Sequence, residues 1–108
     1  MRNNGGKTQA LICFYDAAIA ALRRALKAGD AGDTAAHEGH LDKARCVLAE
    51  LDAMVDTEQG ELACNLHRLY AFMDEQLGRA EQRGDRQIIR EVIGLLEEMN
   101  QSWRAITC

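Results

Sequence analysis

Residues 89–106 read IREVIGLLEEMNQSWRAI, and this stretch decides the fold. Its large apolar side chains recur in steps of three, four, three, four and three residues, which is the spacing of one face of an α-helix. We therefore predict a helix that begins after Gly84 and Asp85 and continues to the last residues. The side chains on its inward stripe are Ile89, Val92, Leu96, Met99, Trp103 and Ile106.

The same periodicity occurs in three further segments. The 108 residues include 17 alanines and no proline, and unbranched side chains lose little freedom in a helix. We predict helices over residues 8–28 and 35–55, and a third that follows a cap at Asp56 or Thr57 and ends near Gln82. Their inward stripes are Leu11, Tyr15, Ala18, Leu22 and Ala25; Leu41, Ala44, Leu48, Leu51 and Val55; and Leu62, Leu66, Leu69, Met73, Leu77 and Ala80.

Four helices of about 20 residues with short connections favour antiparallel neighbours. The predicted fold class is therefore all-α, an antiparallel four-helix bundle. We expect one bundle domain over residues 8–108, preceded by a flexible N-terminal arm over residues 1–7.

Composition excludes several classes of protein. The formal net charge is -4, with 17 acidic and 13 basic side chains, which disfavours nucleic-acid binding. No apolar run approaches the roughly 18 residues of a membrane span, and the first residues lack the apolar core of a signal peptide, so we expect a cytoplasmic protein without membrane insertion. The four cysteines show no paired spacing, and we interpret them as reduced thiols that pack as small apolar side chains.

All four predicted helices carry more apolar residues than a narrow core stripe requires. These lateral residues either thicken the core or line grooves that receive another apolar chain, and the helical pattern alone leaves both interpretations open. For the second interpretation we assign client contact to Val47, Met54, Tyr70, Leu77, Ile12, Ile19, Ile88 and Leu95.

Catalytic and metal-binding patterns are weak. His37 and His40 are three residues apart rather than the four of the zinc-protease helix, so we assign no metal. No phosphate-binding glycine loop or nucleophile elbow occurs, and we predict no catalytic residues, no cofactor and no enzyme activity. One alternative remains: residues 40–44, HLDKA, are similar to the motif of histidine phosphotransfer domains, in which His40 would accept phosphate.

Three blocks in this sequence resemble the flagellin export chaperone family, FliS. They are LICFYDAAI at residues 11–19, GELACNLHRLYAFM at residues 60–73, and EVIGLLEEM at residues 91–99 with Trp103 after it. Residues 41–51 also resemble the second helix of the family. The resemblance covers roughly residues 9–106, and the order and spacing of the blocks make it fairly specific.

The resemblance implies a bacterial, cytosolic four-helix bundle without cofactor or catalysis. It implies a partner, the disordered C-terminal segment of flagellin, which the chaperone would keep from premature polymerisation and deliver for export. Contact with components of the export apparatus, and pairing of two client-free chains as a homodimer, are further partners that this interpretation leaves open. The apolar lateral residues fit such a client, because a disordered segment that orders on binding must bury enough apolar area to offset its lost freedom.

Overall fold

The computed structural model describes residues 4–107, with side chains placed from Thr8 to Ile106. Four long helices make the fold: α1 (Asn4–Asp30), α2 (Thr34–Ala53), α3 (Glu61–Arg83) and α4 (Arg86–Thr107). A short 3-10 helix, Thr57–Gln59, lies between α2 and α3. No strand occurs between residues 4 and 107, and the predicted all-α four-helix bundle is confirmed.

The start of α1 differs from the prediction. The helix begins at Asn4, so the predicted start at Thr8 is four residues late. Glycines at positions 5 and 6 weaken a helix by about 1 kcal/mol each, but they do not block its hydrogen bonds as proline would. Of the predicted N-terminal arm, residues 1–3 lie outside the described part of the chain, as does Cys108.

Each helix packs against two neighbours. α1 contacts α2 and α4, and α3 contacts the same two helices, whereas diagonal pairs make no close backbone contact within residues 4–107. Ion pairs across α2 and α3 show an antiparallel arrangement. Arg45 Nε lies 2.8 Å from Asp74 Oδ1, and Asp52, further along α2, lies 2.7 Å from His67, nearer the start of α3.

Polar contacts also fix the register of α1 against α4. Arg86, the first residue of α4, lies 2.7 Å from Asp30, the last residue of α1. Arg104, near the other end of α4, donates to both carboxylate oxygens of Asp16 at 2.9 and 2.8 Å, and Asn100 donates to Asp16 at 2.8 Å. Exposed pairs of this kind contribute about 0 to 1 kcal/mol each, so they define alignment more than stability.

The core centres on two buried tyrosines. The hydroxyls of Tyr15 and Tyr70 lie 2.7 Å apart, and the rings meet edge to face with centroids 6.4 Å apart. Burial raises the pKa of both phenols, so both are neutral near pH 7 and each satisfies the polar atom of the other. Around them lie Leu22, Leu41, Leu48, Leu51, Met73, Leu77, Ile89, Val92 and Leu96.

Two predicted stripes are wrong at the same end of the bundle. On α3, Leu62 is 70% exposed, while Tyr70, placed on a flank by the sequence, is buried. On α4, Ile106 is 67% exposed. The physical reason is length, because α2 ends at Ala53 and leaves the first turn of α3 and the last turn of α4 without α2 side chains to cover them.

The three described cysteines do not lie in the core, contrary to the prediction. Cys13 and Cys46 are exposed thiols, and Cys64 is half-buried with its Sγ 3.2 Å from the Thr57 carbonyl oxygen, to which it donates. All three are unpaired in this structure.

Short capping motifs set the helix boundaries. Asp33 accepts a hydrogen bond from the Ala36 amide at the start of α2, and Asp85 accepts one from the Gln87 amide at the start of α4. Gly84 ends α3 in the left-handed conformation, with φ 63°, which glycine adopts without a Cβ penalty. The predicted stop and cap between the last two helices are therefore confirmed.

Gly78, in the middle of α3, lies under the side chain of Arg45. The Arg45 guanidinium crosses α3 at this point, with Nη2 3.3 Å from Asp74 Oδ2 and Nη1 3.4 Å from Glu81 Oε1. The hydrogen bond to Asp74 raises the pKa of Arg45, and burial together with nearby Asp42 raises the pKa of Glu81. A Cβ at position 78 would lie 3.4 Å from Arg45 Nη2, an ordinary van der Waals contact.

We expect Gly78→Ala to stabilise the bundle by about 0.5 to 1 kcal/mol, because alanine loses less backbone freedom in a helix than glycine. Urea unfolding followed by circular dichroism measures the change. Gly39→Ala on α2 is the matched control, since a Cβ there meets nothing within 4 Å. If Gly78→Ala destabilises while Gly39→Ala stabilises, the added methyl group displaces Arg45 from its ion pairs.

Candidate functional site

An extensive apolar opening lies at the end of the bundle where α2 and α4 end and α3 begins. A depression of about 590 Å³ lies between α1, the α2–α3 connection, α3 and α4, and a second of about 310 Å³ adjoins it between α3 and α4. The two share Leu62, Leu66 and Trp103, and together we call them the terminal groove. Its apolar walls are Leu11, Met54, Val55, Leu62, Leu66, Leu69, Met99, Trp103 and Ile106.

Local sequence explains why this end stays open. Seven residues, 54–60, connect α2 to α3 without continuing either helix, and the 3-10 helix Thr57–Gln59 lies among them. Asp56 caps that turn by accepting a hydrogen bond from the Glu58 amide at 3.0 Å, and Gly60 follows with a φ of 120°. The α3 stripe therefore begins at Leu62 without a facing α2 side chain, and the leucine protrudes.

The floor of the terminal groove is neutral. Tyr70, which lines the larger depression, is only 1% exposed, and its hydroxyl is committed to Tyr15. The indole Nε1 of Trp103 is buried without a hydrogen-bond partner in the described part of the chain. The indole is nevertheless close enough to the Tyr15 hydroxyl to lower the pKa of that phenol slightly against the larger effect of burial. Such a floor favours apolar over charged ligands.

A separate depression of about 440 Å³ lies farther along the seam between α3 and α4. Phe72 from α3 and Ile88 and Leu95 from α4 supply its apolar surface, and Glu91 and Glu98 line its α4 side. Phe72 is 49% exposed, which is unusual for an aromatic side chain in the middle of a bundle helix.

The residues predicted for client contact fall into different environments. Met54 is exposed in the terminal groove, and Ile88 and Leu95 share the depression beside Phe72. Val47 and Ile19 are half-buried and pack against the core. The structure thus brings Ile88 and Leu95 together but separates them from Met54.

Three of the predicted contact residues are buried instead of lateral. Ile12, Tyr70 and Leu77 lie in the core with little or no exposed area. On α3 the buried face is centred on Tyr70, Met73 and Leu77, so a residue assigned to the flank of the stripe is at its centre. In this structure the side chains of Ile12 and Leu77 are not available to a client, and Tyr70 contributes only to the groove floor.

Sequence reasoning missed the terminal groove because its residues continue the core stripes. Leu62, Trp103 and Ile106 each fit the helical repeat, which predicts an interior position for all three. The signal that separates them is position: they lie in the first or last turns of their helices, beyond the end of α2. An apolar stripe that extends beyond the end of the facing helix predicts exposed apolar surface.

In the described part of the chain, the histidines and other side chains that could bind a metal do not form a cluster. His40 is half-buried within α2, and His67 is engaged with Asp52. Among the described side chains, no three of the His, Cys, Asp and Glu type converge as metal ligands. Within the same residues no helix has the length and hydrophobicity of a membrane span.

The structure is a small helical bundle with an apolar groove at one end. Amphipathic segments bind other helical proteins in grooves of this kind. Comparison with known proteins identifies the family. The family model described as flagellar protein FliS matches residues 4–107, and the chain belongs to this family.

Curated relatives agree with this assignment. The flagellar secretion chaperone FliS of Salmonella typhimurium is 38% identical over 101 residues, which cover 92% of this chain and 75% of the relative. FliS of Vibrio cholerae is 33% identical over 67 residues, and FliSB of Pseudomonas aeruginosa is 37% identical over 68 residues. These two matches cover 61% and 62% of this chain but only 49% and 54% of the relatives.

Proposed function

We propose that this protein is a cytoplasmic flagellar export chaperone that binds the disordered C-terminal segment of flagellin in apolar grooves. Binding would keep the segment from premature polymerisation and hold it until components of the export apparatus receive it. The family assignment supports the class of function, since the named relatives are flagellar secretion chaperones. The observation that carries the binding mode is the terminal groove, with its exposed Leu62 and Ile106.

The shape of the groove suits a disordered client. Its two depressions adjoin around Leu62, so an amphipathic helix could place successive apolar side chains on either side of this leucine. Each 100 Å² of apolar surface removed from water contributes about 2.5 kcal/mol, from which the ordering of the client must be subtracted. A client would therefore need to extend beyond one depression to bind tightly.

Within this proposal, Met54 remains a contact residue, and Leu62, Leu66, Trp103 and Ile106 join it. Val47, Ile19, Ile88 and Leu95 are contacts only if the client continues from the terminal groove along the flanks. The alternative of phosphotransfer at His40 gains no support, because the family match includes the segment that suggested it.

Isothermal titration calorimetry with the C-terminal segment of flagellin from the same genome tests the proposal. We expect a dissociation constant below about 1 μM and a negative heat-capacity change, because apolar surface is buried. A peptide of the same composition in scrambled order is the control. Absence of binding at tens of micromolar segment, with the chaperone folded by circular dichroism, would contradict the assignment of the client.

A further inference from the structure

Charged pairs line the exposed side of the contact between α1 and α4. Arg86 pairs with Asp30 where α4 begins and α1 ends. Arg23 pairs with Glu97 farther along the two helices. Each pair places a basic side chain opposite an acidic one, but this alternation is absent from the interval between the two pairs.

Lys27 and Arg90 lie in this interval. Counting residues from either pair places Lys27 between the levels of Ile89 and Ile93 on the antiparallel α4, and Arg90 lies within the same range. At 100° per residue, each of the two side chains lies within about 60° of the paired residues on its own helix. Two cations therefore face each other where the neighbouring positions hold ion pairs.

These cations are not neutralised by the chain itself. Lys27 and Arg90 are exposed and form no ion pair with any described side chain, and the same holds for Arg24, which lies within about 60° of Lys27 on α1. We call these three residues the basic seam. Because the formal net charge of the chain is -4, the basic seam is a local excess of positive charge on an acidic protein.

Helix electrostatics explains only part of this arrangement. Lys27 lies in the last turn of α1, where the negative end of the helix dipole favours a cation. Arg90 lies near the start of α4, at the positive end of that helix, so the dipole does not stabilise it. Like charges that face each other also repel in the folded state. The stability of the isolated bundle therefore does not account for Arg90, whereas a bound anion would.

We propose that the basic seam binds an acidic segment of a partner protein. The carboxylates of this segment lie between Lys27 and Arg90 and reach Arg24. A carboxylate accepts hydrogen bonds from both ammonium and guanidinium groups, and a guanidinium can bind one carboxylate through two parallel bonds. A short run of adjacent Asp or Glu residues supplies enough negative charge to neutralise all three cations.

A depression beside the basic seam favours a peptide as the ligand. It has a volume of about 350 Å³, lies between α1 and α4, and has Ile19 in its lining. Ile19 is eight residues from Lys27, which corresponds to about 12 Å along α1. The carboxylates that line the depression, Asp16 and Glu97, are paired with arginines. A peptide could place a side chain in this depression while its own carboxylates contact the basic seam, whereas a flat lipid surface could not enter it.

Other polyanions fit the basic seam less well. The large apolar side chains that are exposed in the described part of the chain all lie elsewhere, so none is placed to insert among lipids beside the seam. They are Met54, Leu62, Phe72 and Ile106. Nucleic-acid binding depends on neutralising many phosphates, and three cations on an acidic chain do not supply this.

A chemical-shift titration of the full, isotope-labelled chain with hexaglutamate tests the proposal. This flexible peptide offers carboxylates without an apolar side chain. We expect the backbone amides around Lys27 and Arg90 to shift, with a dissociation constant on the order of 1 mM at about 20 mM salt, because exposed charge pairs are individually weak. Raising the salt to about 200 mM should weaken the binding by at least about fivefold.

The combined variant Lys27→Gln, Arg90→Gln removes two charges from the basic seam. It should weaken hexaglutamate binding by at least about fivefold. Its thermal midpoint should equal or exceed that of the parent, since the two cations repel each other. The charge-conserving variant Lys27→Arg, Arg90→Lys should bind within about twofold of the parent.

The combined variant Arg68→Gln, Arg79→Gln is the matched control, because it removes the same charge from exposed positions on α3. It should change the affinity for hexaglutamate by less than about twofold. The proposal is overturned if hexaglutamate at about 5 mM shifts no amide near Lys27 or Arg90. It is also overturned if the control variant loses as much affinity as the Lys27→Gln, Arg90→Gln variant.

Vesicles of phosphatidylglycerol and phosphatidylcholine in equal parts distinguish a lipid ligand from a protein ligand. We expect no co-sedimentation of the chain with these vesicles. Co-sedimentation that is lost in the Lys27→Gln, Arg90→Gln variant would assign the basic seam to lipid and overturn the choice of a protein partner.

This inference does not depend on the proposed client. Lys27 is sixteen residues from Leu11, which lines the terminal groove, and this separation corresponds to about 24 Å along α1. The Lys27→Gln, Arg90→Gln variant should therefore bind the flagellin segment with the parent affinity in calorimetry. Failure of hexaglutamate binding would leave that affinity unchanged, and failure of flagellin binding would leave the hexaglutamate titration unchanged, so the two proposals can fail separately.

Discussion

Leu62→Asp is expected to weaken binding of the flagellin segment by roughly 10- to 100-fold while leaving the bundle intact. The leucine is 70% exposed and lines both depressions of the terminal groove, so the client should cover it. Losing a covered leucine costs about 1.5 to 3 kcal/mol of apolar burial, and each 1.4 kcal/mol is a factor of ten in affinity. Calorimetric titration of parent and variant with the same segment measures the ratio.

Ala71→Asp is the matched control for this substitution. Position 71 is exposed on the same helix but lies outside both depressions, so the added charge should leave the client affinity unchanged. Thermal unfolding provides the second readout. If Leu62→Asp lowers the midpoint by more than a few degrees, the leucine supports the core and the groove is misassigned. Equal loss of affinity in both variants would instead indicate a general electrostatic effect.

The fold could be predicted from the sequence because the core repeats along each helix. Ile89, Val92 and Leu96 are buried where the three-and-four spacing predicts, and Leu41, Leu48 and Leu51 are buried in the same way on α2. Each stripe contributes many side chains, so an error at one position leaves the helix assignment unchanged. The stop at Gly84 and the cap at Asp85 then set the boundary between α3 and α4 to within a few residues.

The binding surface could not be predicted in the same way, because exposure depends on what faces each turn. Leu62 and Met73 belong to one predicted stripe, yet the first protrudes into solvent and the second is fully buried. The difference is the end of α2 at Ala53, which a helical repeat on α3 does not encode. The position of a residue around the helix matters as well, because side chains one residue apart point about 100° away from each other.

Two aromatic residues on α3 show why burial is hard to predict from the helical repeat alone. Tyr70 and Phe72 are two positions apart, and the helical repeat places them on opposite flanks of the predicted α3 stripe. In the structure Tyr70 turns inward to bond Tyr15, 55 positions away in sequence, while Phe72 stays half-exposed. A local sequence pattern cannot predict a hydrogen bond between two residues that are so far apart in the sequence. Because an unpaired phenol in the core costs about 1 to 3 kcal/mol, the hydrogen bond with Tyr15 offsets a penalty that burial of Tyr70 would otherwise carry.

Leu77→Ala tests whether Leu77 is a core residue or a client contact. The side chain is fully buried, so its truncation should cost about 2 to 5 kcal/mol through lost burial and an incompletely filled cavity. A chain of this size has a total stability of about 5 to 15 kcal/mol, and the thermal midpoint should fall by roughly 10 °C or more. Urea unfolding and a thermal scan measure both quantities.

The core position of Leu77 also predicts what the same substitution leaves unchanged. Below its unfolding transition, the Leu77→Ala protein should bind the flagellin segment with nearly the parent affinity, since position 77 lines neither part of the terminal groove. Leu77→Met, which conserves volume, should cost less than about 1.5 kcal/mol. If Leu77→Ala keeps the parent stability and loses the client, Leu77 belongs to the client surface and α3 is rotated relative to the arrangement described above. If Leu77→Ala lowers the stability but keeps the affinity for the segment, Leu77 belongs to the core and the client binds at the terminal groove.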